Sequence, residues 1–532
     1  MANTKKYARR IFAEICKNDK RYLLRRRRRK YKYFKNLQGK RVENLKQGNF
    51  NQASGLHRTV EAGGASNSGR ENLAQSNLNA QAASFNEREC ARERIVECKK
   101  VHFIGIGGIG ISAIARFLHE KGFIISGSDI KESPTTRELA AQGIDVITPH
   151  SKAAIKDQDF VIYSAAIKPD NVELVEAQSK GLKCLSRKES LPMVLEGKRV
   201  FSVAGAHGKS TTSAMLSSLV EGSVIIGAIS KQFGSNMKYE PCDNVIFEAD
   251  ESDSSFLNSN PYLAVVTNAE PEHMEHYGYD LEKFHAAYRG FLERAKVRVI
   301  NAEDEFLGTL KLDAVRLYPS VDITELSMIV RDFVPYTAFN LKNLGKFEVL
   351  GMGEHIAVDA SLAILAALNE TSLAQIRQNL LNFKGIKKRF DILTASRKFV
   401  LIDDYAHHPT EIKATLQSVF EYAKLLGITK ITSIFQPHRF TRLSANLQGF
   451  KECFEGIDEL VILPVYAAGE TPIDINLKEE FKHYNPVMTQ KVAREGEGIA
   501  FTDEFGVKNL LDDGLVIGFG AGDITYQLRG DA

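Results

Sequence analysis

Cysteine is sparse and unpaired in this chain. Its six cysteines (Cys16, Cys90, Cys98, Cys184, Cys242 and Cys453) are scattered over 532 residues with no Cys-x-x-Cys spacing. That excludes a disulfide scaffold and a structural zinc site, and it fits a reducing compartment. Long apolar runs are missing too, since no stretch reaches the ~18 residues of a membrane helix. The amino-terminal positive charge is not followed by an apolar segment after "RYLLRRRRRK", which argues against a secretory signal. A cytoplasmic protein without membrane insertion is the expectation. A convincing Ser/His/Asp or Cys/His constellation for nucleophilic catalysis is also lacking.

Net charge is small, at +4, but unevenly spread. The first fifty residues hold eighteen Lys and Arg against Glu14, Asp19 and Glu43, so the rest of the chain is net acidic. Residues 48–88 are rich in Asn, Ala, Ser, Gln and Gly and offer little to a core. Residues 1–95 therefore read as a basic, low-complexity, disordered extension. The run Arg25–Lys30 suits nucleic acid or an anionic membrane, but a solvated tail without function is the favoured reading.

From about residue 99, apolar runs of strand length alternate with helical stretches: "KVHFIGIG", "GFIISGSD", "DFVIYSAAI" and "RVFSVAGAHG". The alternation recurs at "NVIFEADESD", "YLAVVTNAE" and "KVRVINAED", and again at "KFVLIDDYA", "ITSIFQPHRF", "ELVILPVYAA" and "GLVIGFGAGD". It predicts βαβ units and parallel sheets, hence an α/β protein of three domains: 96–197, 198–390 and 391–532.

Two glycine-rich turns of different design stand at the heads of the first two blocks. Gly105, Gly107 and Gly110 satisfy G-x-G-x-x-G between a strand and a helix, with Gly108 inside the turn and Asp129 nineteen residues beyond Gly110. Glycine lets backbone approach a phosphate, the helix N-terminus supplies N–H groups, and the acid suits ribose hydroxyls. The pattern admits a nicotinamide dehydrogenase. The second turn, Gly205-Ala206-His207-Gly208-Lys209-Ser210 followed by Thr211, is shorter than a full Walker loop but keeps its chemical end. Lys209 can neutralise phosphate oxygens and Ser210 can ligate Mg²⁺. A dehydrogenase has no use for it, whereas a nucleic-acid-binding NTPase would. Beyond it lie "FEADESDSSF" and "TNAEPEHMEHY", in which Glu248 suits a second Mg²⁺ with His273 beside it. Asp250, Glu251 and Asp253 read as solvated loop acids.

The order "GIGGIG", "GAHGKST", "EADESD", "TNAEPEHM", "DDYAHHPTE", "FQPHRFTR" and "VYAAGE", spread over residues 99–525, resembles the Mur ligases of bacterial cell-wall synthesis. The resemblance implies a Rossmann-like UDP-binding domain, a central P-loop ATPase domain and a C-terminal Rossmann-like domain. It implies ATP-dependent joining of L-alanine to the carboxylate of UDP-N-acetylmuramate through an acyl phosphate, with ATP and Mg²⁺ as cofactors and no nucleic acid required. A relative that adds a peptide instead of alanine is the nearest alternative. By the same resemblance Lys209 would clamp the ATP phosphates, Ser210 would hold one Mg²⁺, and Glu248 with His273 the other. His355 would approach the adenine, Arg389 would reach a phosphate, and Tyr405, His407 and His408 would lie by the nucleotide. His438, Arg439 and Arg442 would line the amino-acid site, and Asp129, His150, Ser164 and Arg187 the UDP side. The family's G-x-H-N-x-x-N stretch is here "GEHIAVD", with Ile356 and Asp359 in place of the asparagines. An ionised Asp359 could only accept hydrogen bonds, where an asparagine donates as well.

Overall fold

The computed structural model describes residues 100–531; the basic extension assigned to residues 1–95 lies outside them. The first sheet is built from β1 (Lys100–Ile104), β2 (Ile124–Ser128), β3 (Asp145–Ile147), β4 (Phe160–Tyr163) and β5 (Lys183–Ser186). Its strands are parallel and ordered β3-β2-β1-β4-β5. The strand order reverses between β1 and β4, and the glycine turn leaves β1 at that point, where open α/β sheets bind ligands. The helix Ile109–Glu120 follows directly and presents its first turn to the same edge.

The second sheet takes β6 (Arg199–Ala204), β7 (Ser223–Ile225), β8 (Met237–Lys238), β9 (Asn244–Glu248), β10 (Leu263–Val266), β11 (Val297–Asn301) and β12 (Val315–Leu317). The order is β12-β11-β10-β6-β9-β7-β8, parallel except for the β7–β8 edge. Central β6 runs into the phosphate loop, β9 ends on Glu248, and β10 leads to Thr267 and Asn268. Three functional segments thus converge because three neighbouring parallel strands end together.

A meander the alternation did not foretell comes next: β13 (Ile323–Arg331), β14 (Val334–Leu341) and β15 (Lys346–Leu350), all antiparallel. Its buried side (Phe339, Leu341, Phe347 and Val349) joins the core formed by the helices Lys209–Leu219 and Glu354–Ala367. The second of these is apolar almost all round and buried along most of its length, as such a helix must be. Its alanines (Ala357, Ala360, Ala363 and Ala366) let it pack against the phosphate-loop helix and set its first turn over the loop.

The last sheet holds β16 (Asp391–Ala395), β17 (Phe399–Asp404), β18 (Ile431–Phe435), β19 (Glu459–Ile462), β20 (Val487–Glu495), β21 (Gly498–Asp503), β22 (Lys508–Leu511) and β23 (Gly514–Phe519). The order is β16-β17-β23-β18-β19-β20-β21-β22, parallel from β17 to β20 and antiparallel at both ends. Each apolar run singled out in the sequence carries a strand. The short edge strands and hairpins escaped the pattern because their burial is one-sided or brief.

The C-terminal helix Ile524–Arg529 ties this sheet down. Arg529 donates to Asp403 at 2.7 Å and also bonds Asp391, while Thr525 donates to Asp403 at 2.6 Å. Both carboxylates are buried, and Lys231 of the second unit reaches Asp391 at 2.7 Å. Arg529→Ala strips a buried pair of its shared cation. The expected loss is about 3 kcal/mol, read by urea denaturation. A loss under about 0.5 kcal/mol, the ordinary effect of a surface change, contradicts the structural role.

Candidate active site

The phosphate loop is shaped from below. Gly205 has φ 142°, and a Cβ there would lie 2.0 Å from Thr267 Oγ1. Gly208, at φ 79°, starts the helix Lys209–Leu219 in the left-handed region that glycine tolerates. Asn268 accepts the His207 N–H at 3.1 Å and donates to the His207 carbonyl at 3.0 Å, which fixes the loop between the two glycines. His207 Nε2 faces Glu272 at 3.2 Å.

Lys209 is nearly enclosed. Its ammonium donates to the carbonyls of Gly205 (2.5 Å) and Ala206 (3.0 Å) and to Glu251 Oε1 (2.8 Å). Burial works against its charge, but Glu251, Glu248 and Asp250 outweigh burial and hold the group charged. Glu251 is therefore no solvated loop acid: it is 1% exposed and is the counter-ion of the loop lysine. It is buried because its own segment folds back, with Ser252 N–H on Asp250 Oδ1, Ser255 N–H on Asp253 Oδ1 and the Tyr277 hydroxyl on the Glu251 carbonyl. Asp250, whose side chain is 39% exposed, faces Arg187 at 3.7 Å.

Ser210 Oγ donates to Glu248 Oε1 at 2.9 Å, and Glu248 Oε2 accepts the Gly227 N–H at 2.7 Å. Two hard oxygen donors stand together at the head of the helix, the chemistry a magnesium ion needs. Among the described residues His273 makes no hydrogen bond or ion pair with Ser210 or Glu248. It sits at φ 52° on an exposed turn with its Nδ1 3.8 Å from Glu275, because the turn 273–279 closes on its own backbone. Among the described residues no group of three or more His, Cys, Asp or Glu forms a ligand cluster.

A cleft of about 920 Å³ opens above the loop, lined from the second unit by Lys209, Ser210 and Thr211, and from the far side by Arg389, Asp404 and Glu411. His355 enters from the helix Glu354–Ala367. Its ring lies where a side chain on Gly353 would be, and burial keeps it below the usual histidine range. Asp359 lies one turn on and is wholly enclosed against Gly208, whose Cβ would meet Asp359 Oδ1 at 2.4 Å. Burial pushes its carboxyl up to about 8, against smaller pulls from Thr212 and Arg389. Asp359 is thus a neutral acid at neutral pH, able to donate as well as accept, unlike an ionised carboxylate. Arg389 is held by its neighbours. Tyr405 N–H bonds Lys388 O at 2.8 Å, Phe390 N–H bonds Asp404 Oδ2 at 2.6 Å, and the guanidinium stands 5.5 Å from the Tyr405 ring. Burial drives Asp404 up to about 6, and Arg389 pulls the other way.

Tyr405, His407 and His408 are not on the cleft wall. Glu411 accepts the N–H groups of both histidines, at 3.0 and 3.2 Å, in a capping box that starts the helix Pro409–Leu426. His408 spends both nitrogens on Thr410 and Asn446, so it is a structural cap. His407 turns toward His438, ring to ring at 6.0 Å. Arg442 donates to His438 Nδ1 at 3.0 Å. Burial first, and then Arg442, bring that imidazole down to about 4, so it is neutral. Tyr466 stacks on it at 5.6 Å, and the Arg439 N–H bonds the Tyr466 carbonyl at φ 68°. The side chain of Arg439 is exposed, whereas Arg442 is half-buried with no carboxylate in ion-pair range among the described residues. Sequence reasoning missed Glu411, Asp404 and Asn268. For Glu411 the signal was present: Pro at the first helical position and Glu two residues later mark a capping box.

At the first turn, Asp129 Oδ2 accepts the Gly107 N–H at 2.8 Å and Oδ1 accepts that of Ile130. Ser164 packs on Gly105. His150 Nδ1 joins a buried polar network through Ser128 Oγ, 2.8 Å away. Arg187 lies against Gly110, with its NH1 3.3 Å from Ser255 Oγ and its Nε buried without a partner. It therefore spans from the first turn to the acidic loop of the second.

Asp359 gives the fold a pH signature. Its folded value of about 8 exceeds the ordinary 3.8. The stability gained by keeping it neutral is whole below the ordinary value, declines as pH rises and is gone above about 8. Asp359→Asn removes that decline, so the variant gains on the wild type between those limits, by at most about 1.4 kcal/mol per pH unit, and the difference is flat beyond. Denaturation curves at about pH 5, 7 and 9 read it; a difference that does not vary with pH means the folded chain holds Asp359 ionised.

The comparisons agree along the chain. Residues 100–199 match the Mur ligase family, catalytic domain, residues 203–325 the Mur ligase middle domain, and residues 388–496 the Mur ligase, glutamate ligase domain. A UDP-N-acetylmuramate–L-alanine ligase of Campylobacter curvus is 80% identical over 432 residues, covering 81% of this chain and 99% of that protein. The Helicobacter pylori protein of the same name is 53% identical over 442 residues, covering 82% and 98%. The crystal structure of a UDP-N-acetylmuramate–alanine ligase from Thermotoga maritima superposes with a TM-score of 0.68 at 27% identity, covering 81% of this chain and 98% of that one. A murein peptide ligase from Psychrobacter arcticus shares the fold, with a TM-score of 0.54 at 20% identity over 80% of this chain and 96% of that one. With three matching segments in order and a relative matched end to end, this chain belongs to the Mur ligase family.

Proposed function

We propose that the chain is an ATP-dependent ligase that joins L-alanine to the carboxylate of UDP-N-acetylmuramate, a step in peptidoglycan precursor synthesis. The observation that carries this is the 80% identity to a ligase of that name over 99% of its length. The site's chemistry supports it. The glycine turn with Asp129 takes the UDP-sugar, the loop with Lys209 takes ATP, and the cluster of His438, Arg439 and Arg442 takes the amino acid. The division into 96–197, 198–390 and 391–532 then gives one reactant to each unit.

The muramate carboxylate attacks the γ-phosphorus and ADP leaves; the free amine of alanine attacks the acyl carbon and phosphate leaves. Every reactant but the amine is anionic, so rate comes from positioning and charge neutralisation. Lys209 and Arg389 supply fixed cations. Ser210 and Glu248 fit Mg²⁺, which when bound neutralises phosphate oxygens.

Phosphate release, assayed with ATP, UDP-N-acetylmuramate and a panel of amino acids and short peptides, tests the reading. Release that needs all three components and favours L-alanine is expected; turnover with a peptide in its place would assign the chain to the peptide-adding branch. Lys209→Ala is expected to cut turnover by about 100-fold or more while UDP-sugar binding weakens far less, because the two turns lie on separate sheets and the tie through Asn236 stays in place. Near-full turnover would remove ATP from that loop.

Arg442→Ala is expected to raise the KM for L-alanine selectively. Alanine's side chain is one methyl, so its carboxylate must supply much of the affinity, and an arginine fork without a carboxylate partner suits it. The cost is about 2 kcal/mol or more, as for truncated charge pairs. Steady-state kinetics with each substrate varied in turn decide; equal shifts for all three would sink the clamp.

A further inference from the structure

A buried polar chain runs beneath the first glycine turn. Glu173, in the first turn of the helix Val172–Ser179, has no exposed surface. Its Oε1 accepts the Ser151 N–H at 2.7 Å. Its Oε2 accepts from the Ser128 hydroxyl and from His102 Nε2, the latter at 3.2 Å. Ser128 Oγ lies 2.8 Å from His150 Nδ1. His150 Nε2 is buried and has no partner.

Counting hydrogens fixes the direction of every bond. A carboxylate only accepts. Burial alone would push Glu173 up, but the bonds from His102, Ser128 and Ser151 outweigh it and hold the group below the ordinary range. Ser128 has one hydroxyl hydrogen, and Glu173 takes it. Its oxygen can then only accept from His150, so the hydrogen sits on Nδ1. In the neutral ring this leaves Nε2 a bare acceptor. On the other side, His102 Nε2 donates to Glu173, and its Nδ1 accepts from Ser126 Oγ at 2.9 Å. Each hydrogen is committed up to that one unpaired nitrogen.

The place is informative. Ser128 ends β2 and directly precedes Asp129; His150 follows β3, the neighbour of β2. The lone acceptor thus stands at the carboxyl edge that carries the glycine turn. We infer that Glu173 is a positioning residue: through Ser128 it fixes His150 as the Nδ1–H tautomer and so offers Nε2 to the ring N3–H of a uracil base. This rests on the reading of the first turn as the UDP-sugar site. Cytosine has a lone pair at that position, and methylation of uracil N3 removes the hydrogen.

Calorimetric binding of UDP, CDP and N3-methyl-UDP to the full chain, with ¹⁵N NMR of the His150 ring, tests it. The wild type is expected to bind UDP about tenfold or more tighter than either analogue, the cost of leaving a buried acceptor unpaired. Its His150 should show a protonated Nδ1 and a bare Nε2. Ser128→Ala and Glu173→Gln are expected to erase both the preference and the tautomer, and to raise the KM for the UDP-sugar far more than they lower kcat. Should Glu173→Gln not fold, Ser128→Ala and the methylated ligand carry the same test. Equal affinity for UDP and N3-methyl-UDP, or an unchanged tautomer in Ser128→Ala, overturns the role of Glu173 while the UDP reading stands. Failure of UDP and the UDP-sugar to bind at all overturns both.

Discussion

One buried ion pair holds the two glycine turns in a common frame. Lys209 and Glu251, 2.8 Å apart, tie the phosphate loop to the acidic segment after β9. Two residues of that segment, Asp250 and Ser255, meet Arg187, which lies against Gly110 of the first turn. A second tie runs alongside: Asn236, beyond β7, donates to the Ile109 carbonyl at 2.6 Å and to Ser112 Oγ at 3.0 Å, and accepts from the buried Arg116. Losing Glu251 would free an ammonium in a nearly enclosed place and also unfasten the segment that reaches the other sheet. A buried pair of this kind adds little net stability over apolar packing, but breaking it is costly. Its value lies in specifying geometry.

That geometry suits a reaction whose partners repel one another. A diphosphate, a triphosphate and a carboxylate must be brought together, and each cation present does double duty. Lys209 answers three carboxylates in its surroundings, and Arg389 offsets Asp404 and Asp359 across the cleft. The fixed dipoles of the helix Lys209–Leu219 add to them at its N-terminus without any charged side chain.

What the sequence disclosed follows from how local each signal is. Glycines in a turn and a lysine at a helix start act through their immediate backbone, so Gly205, Gly208, Lys209 and Ser210 were legible. The central strands, apolar on both faces, were legible for the same reason. Glu251 was not, because its burial depends on Tyr277 and on the loop lysine more than forty residues away. The protonation of Asp359 was hidden as well: it follows from an alanine-rich helix closing over Gly208, a fact of packing. His408 misled in the opposite way. Its neighbours resemble a nucleotide motif, yet Pro409 and Glu411 make it a helix cap whose nitrogens are used up. His273 was grouped with Glu248 on the family resemblance; it stands on an exposed turn, with its Nδ1 3.8 Å from Glu275.

The neutral groups of the site show the same constraint from the other side. Carboxylates of the cleft's own would oppose a polyanion; Asp404 and Glu411 line its far wall, and Asp359 stands against Gly208. Burial resolves the conflict by keeping it protonated, with its value near 8. Burial also brings His438 down to about 4, so it adds no charge and accepts from Arg442, and burial holds His355 below the usual histidine range. Positive charge on the cleft wall is thereby left to Lys209, Lys231, Lys384 and Arg389. Charge on the cleft wall therefore changes as Asp404 ionises near pH 6 and again as the pH climbs toward the value of Asp359, where a new anion beside Gly208 would oppose phosphates bound at that loop.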